Sequence, residues 1–338
     1  MEKSESKVCV TGGTGFVGSW LVKKLLERGY TVHATLRNLD DAWKLSLLKS
    51  FPGADSRLVL FKADMYNPDE FQNAIQGCQC VFHVATPLFH TQTSLKYKNT
   101  IEASVDVAKS IAMFCVRSGT VKRLIYTASV VAASPLKEDG SGFKDFMDET
   151  CWTPFNLSIP YSNDFLEDYK VSKTLAEKEL LSFENKNGGG LEVVTLACGL
   201  IGGDTVLPFT PGSSGTLISQ LTNNEVNYNS LRYLEELNGK IAVVHIEDVC
   251  EAHIFCMENP SLKGRFLCAS SFISSARIAA YYQENYPTFH VKKEYLDEPK
   301  RDIKMSSSRL IEKGFAYKYN TKMILDDCIN CAIRMSDL

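Results

Sequence analysis

Three side chains in this sequence could together protonate a carbonyl oxygen. Tyr169 and Lys173 are four residues apart, so a helix would place both on one face. A nearby ammonium favours the phenolate and lowers the tyrosine pKa, which makes Tyr169 a candidate general acid. Ser129 follows a strand expected at residues 123–127, where its hydroxyl could hydrogen-bond the same oxygen. Chance alone yields roughly one Tyr-x-x-x-Lys match among 14 tyrosines, so a capping serine and a surface tyrosine remain the alternative.

A glycine-rich loop near the N-terminus favours the catalytic interpretation. Gly12, Gly15 and Gly18 recur at every third position, after a short apolar strand (residues 8–10) and at the start of an amphipathic helix (residues 15–28). Such a loop lets the backbone approach a pyrophosphate, and the helix N-terminus supplies free N–H groups to it. We therefore expect a dinucleotide held by Gly12, Thr14, Gly15, Phe16, Val17 and Gly18.

The residues after the second strand indicate which dinucleotide is bound. The strand expected at residues 30–36 is followed by Arg37, and Lys44 comes seven residues later. A carboxylate there would bind the ribose 2′-hydroxyl of NAD, whereas an Arg can chelate a 2′-phosphate. Asp40 and Asp41 lie past the strand and weaken this argument only slightly. We expect NADPH, with a solvated Arg37 as the alternative.

The chemistry has to be positioned by alternating strands and helices. Strands are expected at residues 58–62, 80–84 and 123–127, each after a helical stretch, which predicts a parallel sheet covered on both faces. Tyr169 is expected to begin a helix. Residues 202–240 are expected to be loop-rich, with a strand at 241–245 and a helix at 246–259. The predicted fold is α/β: an NADP-binding Rossmann domain, doubly wound, over residues 1–200 with part of its core returning at about 241–260, and a smaller mixed α/β substrate lobe over 201–338.

Composition excludes several other classes of function. The net charge of −3 offers no electrostatic footprint for nucleic acid, and no segment approaches the ~20 apolar residues of a membrane helix. No signal peptide is expected, so the 11 cysteines are expected to be reduced, in the cytoplasm. Cys328-x-x-Cys331 is interpreted as inert helix positions. His83, His245 and His253 lack metal-ligand spacing, so no metal site is expected, and the chain is expected to be a monomer or weak dimer.

Five stretches carry a family resemblance over essentially the whole chain. They are VTGGTGFVGSW (10–20), FHVATP (82–87), VKR (121–123), YKVSKTLAEK (169–178) and VHIEDV (244–249). The chain resembles the extended short-chain dehydrogenases/reductases, and within them the plant dihydroflavonol, anthocyanidin and vestitone reductase group.

The resemblance implies a role for each matched residue. Ser129 would orient the substrate carbonyl, Tyr169 would protonate it, and Lys173 would bind the nicotinamide ribose and lower the tyrosine pKa. The remaining positions implied in cofactor binding are Arg37 and Lys44 at the 2′-phosphate, Asp64 and Met65 at the adenine, Val84, Ala85 and Thr86 along the cofactor, and Cys198 beside the nicotinamide.

Three departures from the group concern the cofactor and the substrate. Cys198-Gly199 replaces a Pro-Thr beside the nicotinamide, and Ser134 stands where dihydroflavonol reductases have an Asn that contacts substrate hydroxyls. Residues 163–168 lack the Asn-Trp-Tyr-Cys-Tyr signature of cinnamoyl-CoA reductases, which argues against a CoA thioester. The residues expected to line the substrate pocket are Ser129, Ser134, Tyr161, Phe165, Tyr169 and Leu207.

The sequence thus predicts an NADPH-dependent reductase of plant specialised metabolism. Its substrate would be a carbonyl or related conjugated system in an aromatic or polycyclic ketone, as in flavonoid biosynthesis. Two alternatives remain: a non-catalytic NADP-binding regulatory protein, and an NAD-dependent sugar-nucleotide epimerase or dehydratase, against which Arg37 and Lys44 argue.

Overall fold

The computed structural model describes residues 6–87, 96–186, 190–299, 301 and 303–338. Its strands are β1 (Lys7–Val10), β2 (Thr31–Leu36), β3 (Leu58–Lys62), β4 (Cys80–His83), β5 (Arg123–Ser129), β6 (Phe146–Met147), β7 (Glu192–Cys198), β8 (Leu200–Gly202), β9 (Ile241–His245), β10 (Gly264–Cys268), β11 (Ser271–Ile273) and β12 (Lys304–Met305). Its α-helices are α1 (Phe16–Glu27), α2 (Ala42–Lys49), α3 (Ala54–Arg57), α4 (Phe71–Ile75), α5 (Thr100–Ser118), α6 (Asp164–Lys186), α7 (Gly212–Leu217), α8 (Ser219–Thr222), α9 (Glu225–Asn238), α10 (Ile246–Glu258), α11 (Ser275–Asn285), α12 (Ser308–Glu312) and α13 (Thr321–Arg334).

Seven of these strands form one sheet in the order β10-β7-β5-β4-β1-β2-β3. The chain runs outward from β1 through β2 to β3, then returns to β4 on the other side of β1, with parallel pairing on both sides. Parallel sheets of this kind bind ligands at the carboxyl ends of the strands, where the order reverses. The predicted doubly wound Rossmann fold is confirmed.

The strands in the middle of the sheet are buried along their whole length. All residues of β4 and β5 are buried, as expected for central strands covered on both faces. β3, at the edge of the sheet, has no fully buried residue. Helix α5 shows the local signals that bound such elements: Asn99 accepts from the Glu102 N–H at the start, and Gly119 ends it at φ 68°.

The chain divides into two compact units. The first comprises Met1–Ala128, Val171–Leu196 and Cys250–Arg265; the second comprises Ser129–Lys170, Ala197–Val249 and Phe266–Leu338. The second unit contains a mixed three-stranded sheet, β11-β9-β8, parallel on one side of β9 and antiparallel on the other. The boundary expected near residue 200 stays a prediction.

Two elements differ from the sequence-based expectations. Residues 202–240, predicted to be loop-rich, contain α7, α8 and α9. Apart from Gly239, which ends α9, the Pro and Gly residues lie before or within α7. Helix α9 has an Asn224 cap that accepts from the Asn227 N–H at 3.0 Å, and its Tyr233 and Leu237 are buried. Helix α6 begins at Asp164 rather than at Tyr169, because Asn163 already accepts from the Leu166 N–H at 2.9 Å. Among the described residues, no helix has the length and apolarity needed to span a membrane.

Candidate functional site

Gly12 and Gly18 of the glycine loop are packed too closely for a side chain. Gly12 has φ 67°, and a Cβ there would lie 3.0 Å from the Ala85 Cβ. A Cβ on Gly18 would lie 2.1 Å from the Gly12 carbonyl oxygen, which no side-chain movement could relieve. The spacing read from the sequence therefore corresponds to close backbone packing between β1 and α1.

The loop leaves the start of α1 open to an anion. The Gly12 N–H donates to Thr35 Oγ1 at 3.1 Å and the Gly13 N–H to the Thr35 carbonyl at 2.8 Å, which fixes the loop on β2. Gly15, the exposed N-cap of α1, provides no side chain to cap the helix. The first N–H groups of a helix need such an acceptor, and a phosphate can supply it. Thr14, Phe16 and Val17 are half-buried beside this end. The loop fits a pyrophosphate.

Thr11 joins the loop to the end of β4 and was missed in the sequence, although it directly precedes Gly12. Its hydroxyl oxygen accepts from the N–H groups of Val84 and Ala85, both at 3.0 Å, and it lies 3.1 Å from His83 Nδ1. Burial and the nearby Lys173 ammonium lower the pKa of His83 to about 3, so the ring is neutral. The Thr11 proton is then donated to Nδ1. These bonds hold Val84, Ala85 and the half-buried Thr86 beside Gly12.

The residues expected at the adenosine end follow β2 and β3. These strands pair with Leu36 opposite Lys62, so Arg37 and the segment with Asp64 and Met65 leave the same edge of the sheet. Arg37 is exposed and Met65 is buried. One Asp64 oxygen accepts from the Tyr66 N–H at 2.9 Å.

Lys44 is less available than the sequence suggested. Its ammonium lies 2.7 Å from an Asp41 carboxylate oxygen, and the hydrogen bonds from Lys44 hold the pKa of Asp41 below its ordinary value. Asp41 also caps α2 by accepting from the Lys44 N–H. Asp41, one of the two aspartates that weakened the sequence argument slightly, is therefore the direct partner of Lys44. Arg37 is the stronger candidate for binding the 2′-phosphate.

The structure brings Ser129 and Tyr169 together in the second unit. Ser129 is the last residue of β5, it is 9% exposed, and its side chain hydrogen-bonds the Tyr169 hydroxyl. Tyr169 lies in the second turn of α6, with its ring packed against an apolar cluster that includes Leu166, Tyr233 and Leu237. The two hydroxyl groups can therefore meet the same carbonyl oxygen.

Lys173 lies one turn further along α6 and belongs to the first unit. It is 4% exposed, its Nζ donates to the Thr127 carbonyl at 2.8 Å, and it lies 5.0 Å from the centre of the Tyr126 ring. The ammonium is thus fixed in place by β5. Because Tyr169 and Lys173 are i and i+4 on one helix, they share a face.

The expected direction of the Tyr169 pKa was wrong for the protein alone. Burial raises the pKa of Tyr169 above its ordinary value of 10, the hydrogen bond with Ser129 lowers it, and Cys198 adds a smaller increase. The effect of burial is the largest of these. The phenol is therefore held in its protonated form, which is the form a proton donor requires.

This direction gives a testable pH dependence. We expect Tyr169 of the cofactor-free protein to ionise at a higher pH than an ordinary tyrosine, because burial disfavours the phenolate. The measurement is the near-ultraviolet absorbance of tyrosinate during a pH titration, as the difference between wild-type protein and Tyr169→Phe. A tyrosinate signal specific to Tyr169 between pH 7 and 9 would contradict it.

Among the expected substrate residues, Phe165 lies beside Tyr169, as Ser129 does. The two rings are nearly parallel, 13° apart with centroids separated by 6.2 Å, and Phe165 is 41% exposed. Tyr161 is exposed at φ 62°, with the Arg232 guanidinium 5.1 Å from its ring centre. Leu207 and Cys198 are buried, the latter beside Cys268 at the end of β7.

The geometry argues against Ser134 as a substrate contact. Its side chain is fully buried, its hydroxyl donates to the Leu237 carbonyl, and the same oxygen accepts from the Leu136 N–H at 3.1 Å. A hydroxyl bonded in this way would have to leave two partners to reach a ligand. The Ser134 hydroxyl therefore has a structural role, joining the segment that follows β5 to the end of α9.

His245, His253 and the Cys-x-x-Cys pair have structural contacts. His253 Nε2 lies 2.7 Å from Thr127 Oγ1, and the His245 ring stacks on Tyr319 with centroids 3.7 Å apart. Cys328 and Cys331 are buried in α13, where Cys328 accepts from the Gly203 N–H at 3.1 Å. In the part of the chain that the structure describes, no group of three or more His, Cys, Asp or Glu residues could hold a metal ion.

Comparison with known proteins gives a consistent result. The model of the NAD dependent epimerase/dehydratase family matches residues 8–267. A putative anthocyanidin reductase from Ginkgo biloba is 37% identical over 326 residues, covering 95% of this chain and 93% of that protein. The crystal structure of vestitone reductase from alfalfa (Medicago sativa) is 35% identical, with a TM-score of 0.79 over 98% of this chain and 99% of that one.

A more distant structure shares the fold alone. It is a yeast methylglyoxal/isovaleraldehyde reductase complexed with NADPH, 18% identical, with a TM-score of 0.76 over 98% of this chain and 100% of that one. The family model covers most of the sequence, and the closer relatives match nearly end to end. The chain therefore belongs to the NAD dependent epimerase/dehydratase family, that is, to the extended short-chain dehydrogenases/reductases.

Proposed function

We propose that this protein is an NADPH-dependent reductase that converts a carbonyl group of a flavonoid-like or other polycyclic aromatic compound into an alcohol. The observation that carries the proposal is the hydrogen-bonded Ser129–Tyr169 pair at the end of a central strand. A half-buried, protonated phenol hydrogen-bonded to a second hydroxyl is suited to donate a proton to a carbonyl oxygen. A purely regulatory protein would not need this arrangement.

The residues of the first unit fit the cofactor. The uncapped start of α1 would hold the pyrophosphate, the backbone of Val84 to Thr86 would run along the dinucleotide, and Arg37 would bind the 2′-phosphate. Lys173, fixed by the Thr127 carbonyl, would bind the nicotinamide ribose. When bound, NADPH supplies the hydride for the carbonyl carbon.

The residues of the second unit would handle the proton. Ser129 orients the substrate oxygen by hydrogen bonding, and the Tyr169 hydroxyl donates its proton to that oxygen as negative charge develops there. The phenolate left behind would be stabilised by the hydrogen bond with Ser129.

The substrate class is supported by relatives named anthocyanidin reductase, dihydroflavonol 4-reductase and vestitone reductase, at 34–37% identity. The test is NADPH oxidation by the purified protein with a panel of flavonoid, other aromatic and aliphatic ketones. Turnover restricted to aromatic ketones would support the proposal. No oxidation with any carbonyl compound would contradict it, and tightly bound NAD in the purified protein would favour an epimerase or dehydratase. The cytoplasmic location and the monomeric or weakly dimeric state stay predictions.

The choice of cofactor leads to a second prediction. Arg37→Asp is expected to weaken NADPH binding by about 30- to 100-fold, because it replaces a charge-assisted, bidentate contact to the 2′-phosphate by a repulsive carboxylate. NADH binding should change little. Equilibrium titration of both cofactors by protein fluorescence measures this.

Lys44→Ala is the matched control. Its ammonium is already held by Asp41 at 2.7 Å, so we expect a loss of NADPH affinity several-fold smaller than that of Arg37→Asp. Equal losses of NADPH and NADH affinity in Arg37→Asp would contradict the assignment of the 2′-phosphate site.

A further inference from the structure

An exposed phenylalanine extends the aromatic surface of Tyr169 by one helical turn. Phe165 precedes Tyr169 by four residues on α6, and their rings are 13° from parallel with centroids 6.2 Å apart. This is a near-parallel, stacked arrangement of two aromatic rings. A second aromatic ring of nearly the same orientation therefore lies beside the ring of the proposed proton donor.

The two rings differ in their surroundings. The Tyr169 ring packs against the apolar cluster of the second unit, formed by Val131, Ile159, Leu166, Tyr233 and Leu237 with their neighbours. Phe165 is 41% exposed. Single exposed apolar side chains are common, so exposure alone says little. Exposure together with alignment on Tyr169 indicates a face that a flat ligand could cover, which would remove apolar surface from water.

Other exposed aromatic residues lack this combination. Tyr161 is 43% exposed, but the Arg232 guanidinium lies 5.1 Å from its ring centre. Phe209 is 51% exposed but lies between β8 and α7 rather than on the helix that carries Tyr169. Phe155 lies in the same unit and is 42% exposed, so its exposure matches that of Phe165.

We propose that Phe165 is a specificity-determining residue, whose ring stacks on the aryl group of the substrate and so selects aryl ketones over aliphatic ketones. This inference rests on the proposed function, because it takes the carbonyl oxygen to lie at the Tyr169 hydroxyl. An aryl ring joined to that carbonyl offers a π face to Phe165 and buries more apolar area than a methylene chain. An aliphatic ketone offers no π face and buries less apolar area.

The test compares two ketones that differ by one fused benzene ring, α-tetralone and cyclohexanone. The full chain is prepared as wild type, Phe165→Ala, Phe165→Leu and the control Phe155→Ala. Calorimetry gives the Kd of α-tetralone for the NADP⁺-saturated protein, and NADPH oxidation gives kcat and KM for both ketones. Thermal unfolding checks that each variant is folded; Phe165→Leu keeps an apolar side chain at this position should Phe165→Ala not fold.

We expect Phe165→Ala to raise the Kd and KM of α-tetralone about tenfold and to leave kcat within about twofold, since the contact is made before and during reaction alike. Phe165→Leu should raise them about threefold, because it retains apolar area without a π face. Phe155→Ala should match the wild type, and no variant should change KM for cyclohexanone by more than about twofold.

Three results would overturn the inference: no binding of α-tetralone by the wild type, unchanged affinity in Phe165→Ala, or equal losses for the two ketones. Failure of the proposed function is recognisable separately. In that case α-tetralone would bind in a Phe165-dependent way while no ketone in the panel supported NADPH oxidation. Turnover of aryl ketones with the same KM in Phe165→Ala as in the wild type would instead contradict the role of Phe165 while supporting the proposed function.

Discussion

Replacing Tyr169 by phenylalanine is expected to lower kcat for ketone reduction by about 100- to 10,000-fold, the range typical of losing a positioned general acid. The change removes only the hydroxyl that Ser129 hydrogen-bonds, while the ring keeps its apolar neighbours. We therefore expect NADPH affinity and thermal stability to stay close to those of the wild type. Single-turnover oxidation of NADPH with a saturating ketone measures the chemical step directly.

Tyr286→Phe is the matched control for this experiment. It removes a tyrosine hydroxyl that hydrogen-bonds Asp326 in the same unit, and we expect its kcat to remain within about twofold of the wild type. If Tyr169→Phe turned over as fast as this control, the proton would come from another group and the proposed mechanism would be wrong. Loss of activity together with loss of folding would show a structural role for the hydroxyl.

Gly18→Ala is expected to have the second large effect, on cofactor binding. The added Cβ would lie 2.1 Å from the Gly12 carbonyl oxygen and 2.9 Å from the Gly12 carbonyl carbon, so the backbone itself must move. Overpacking of this kind destabilises a protein by about 1–3 kcal/mol. The displaced segment is the one that presents the start of α1 to the pyrophosphate, so we expect NADPH affinity to fall more than about tenfold.

The control is Gly212→Ala at the start of α7. A Cβ there would meet no atom within 4 Å, and the residue needs no left-handed backbone. We expect unchanged NADPH affinity and a slight gain in stability, because alanine favours a helix over glycine by about 0.5–1 kcal/mol. Fluorescence titration and thermal unfolding measure both properties. Wild-type affinity in Gly18→Ala would show that the loop does not hold the cofactor.

Much of the fold and part of the site could be predicted from local sequence patterns. The strands at Leu58–Lys62 and Ile241–His245 have the predicted bounds, because a short apolar run between turn residues determines a buried strand. The glycine spacing predicted the loop between β1 and α1. Ser129 and Tyr169 were singled out by their position after β5 and along a helix, and the structure places them in hydrogen-bonding contact.

Only the tertiary structure decided what each polar side chain is free to do. Ser134 donates to the carbonyl of Leu237, 103 residues away, and Thr11 bonds His83, 72 residues away. Tyr169 packs against Tyr233 and Leu237 of α9, a helix that the sequence did not predict. Burial raises the pKa of Tyr169 above its ordinary value, where the sequence suggested a lower one. Spacing along the chain fixes which residue types share a strand end or a helix face. Hydrogen-bond partners and desolvation depend on segments far apart in sequence, which meet only when the chain folds.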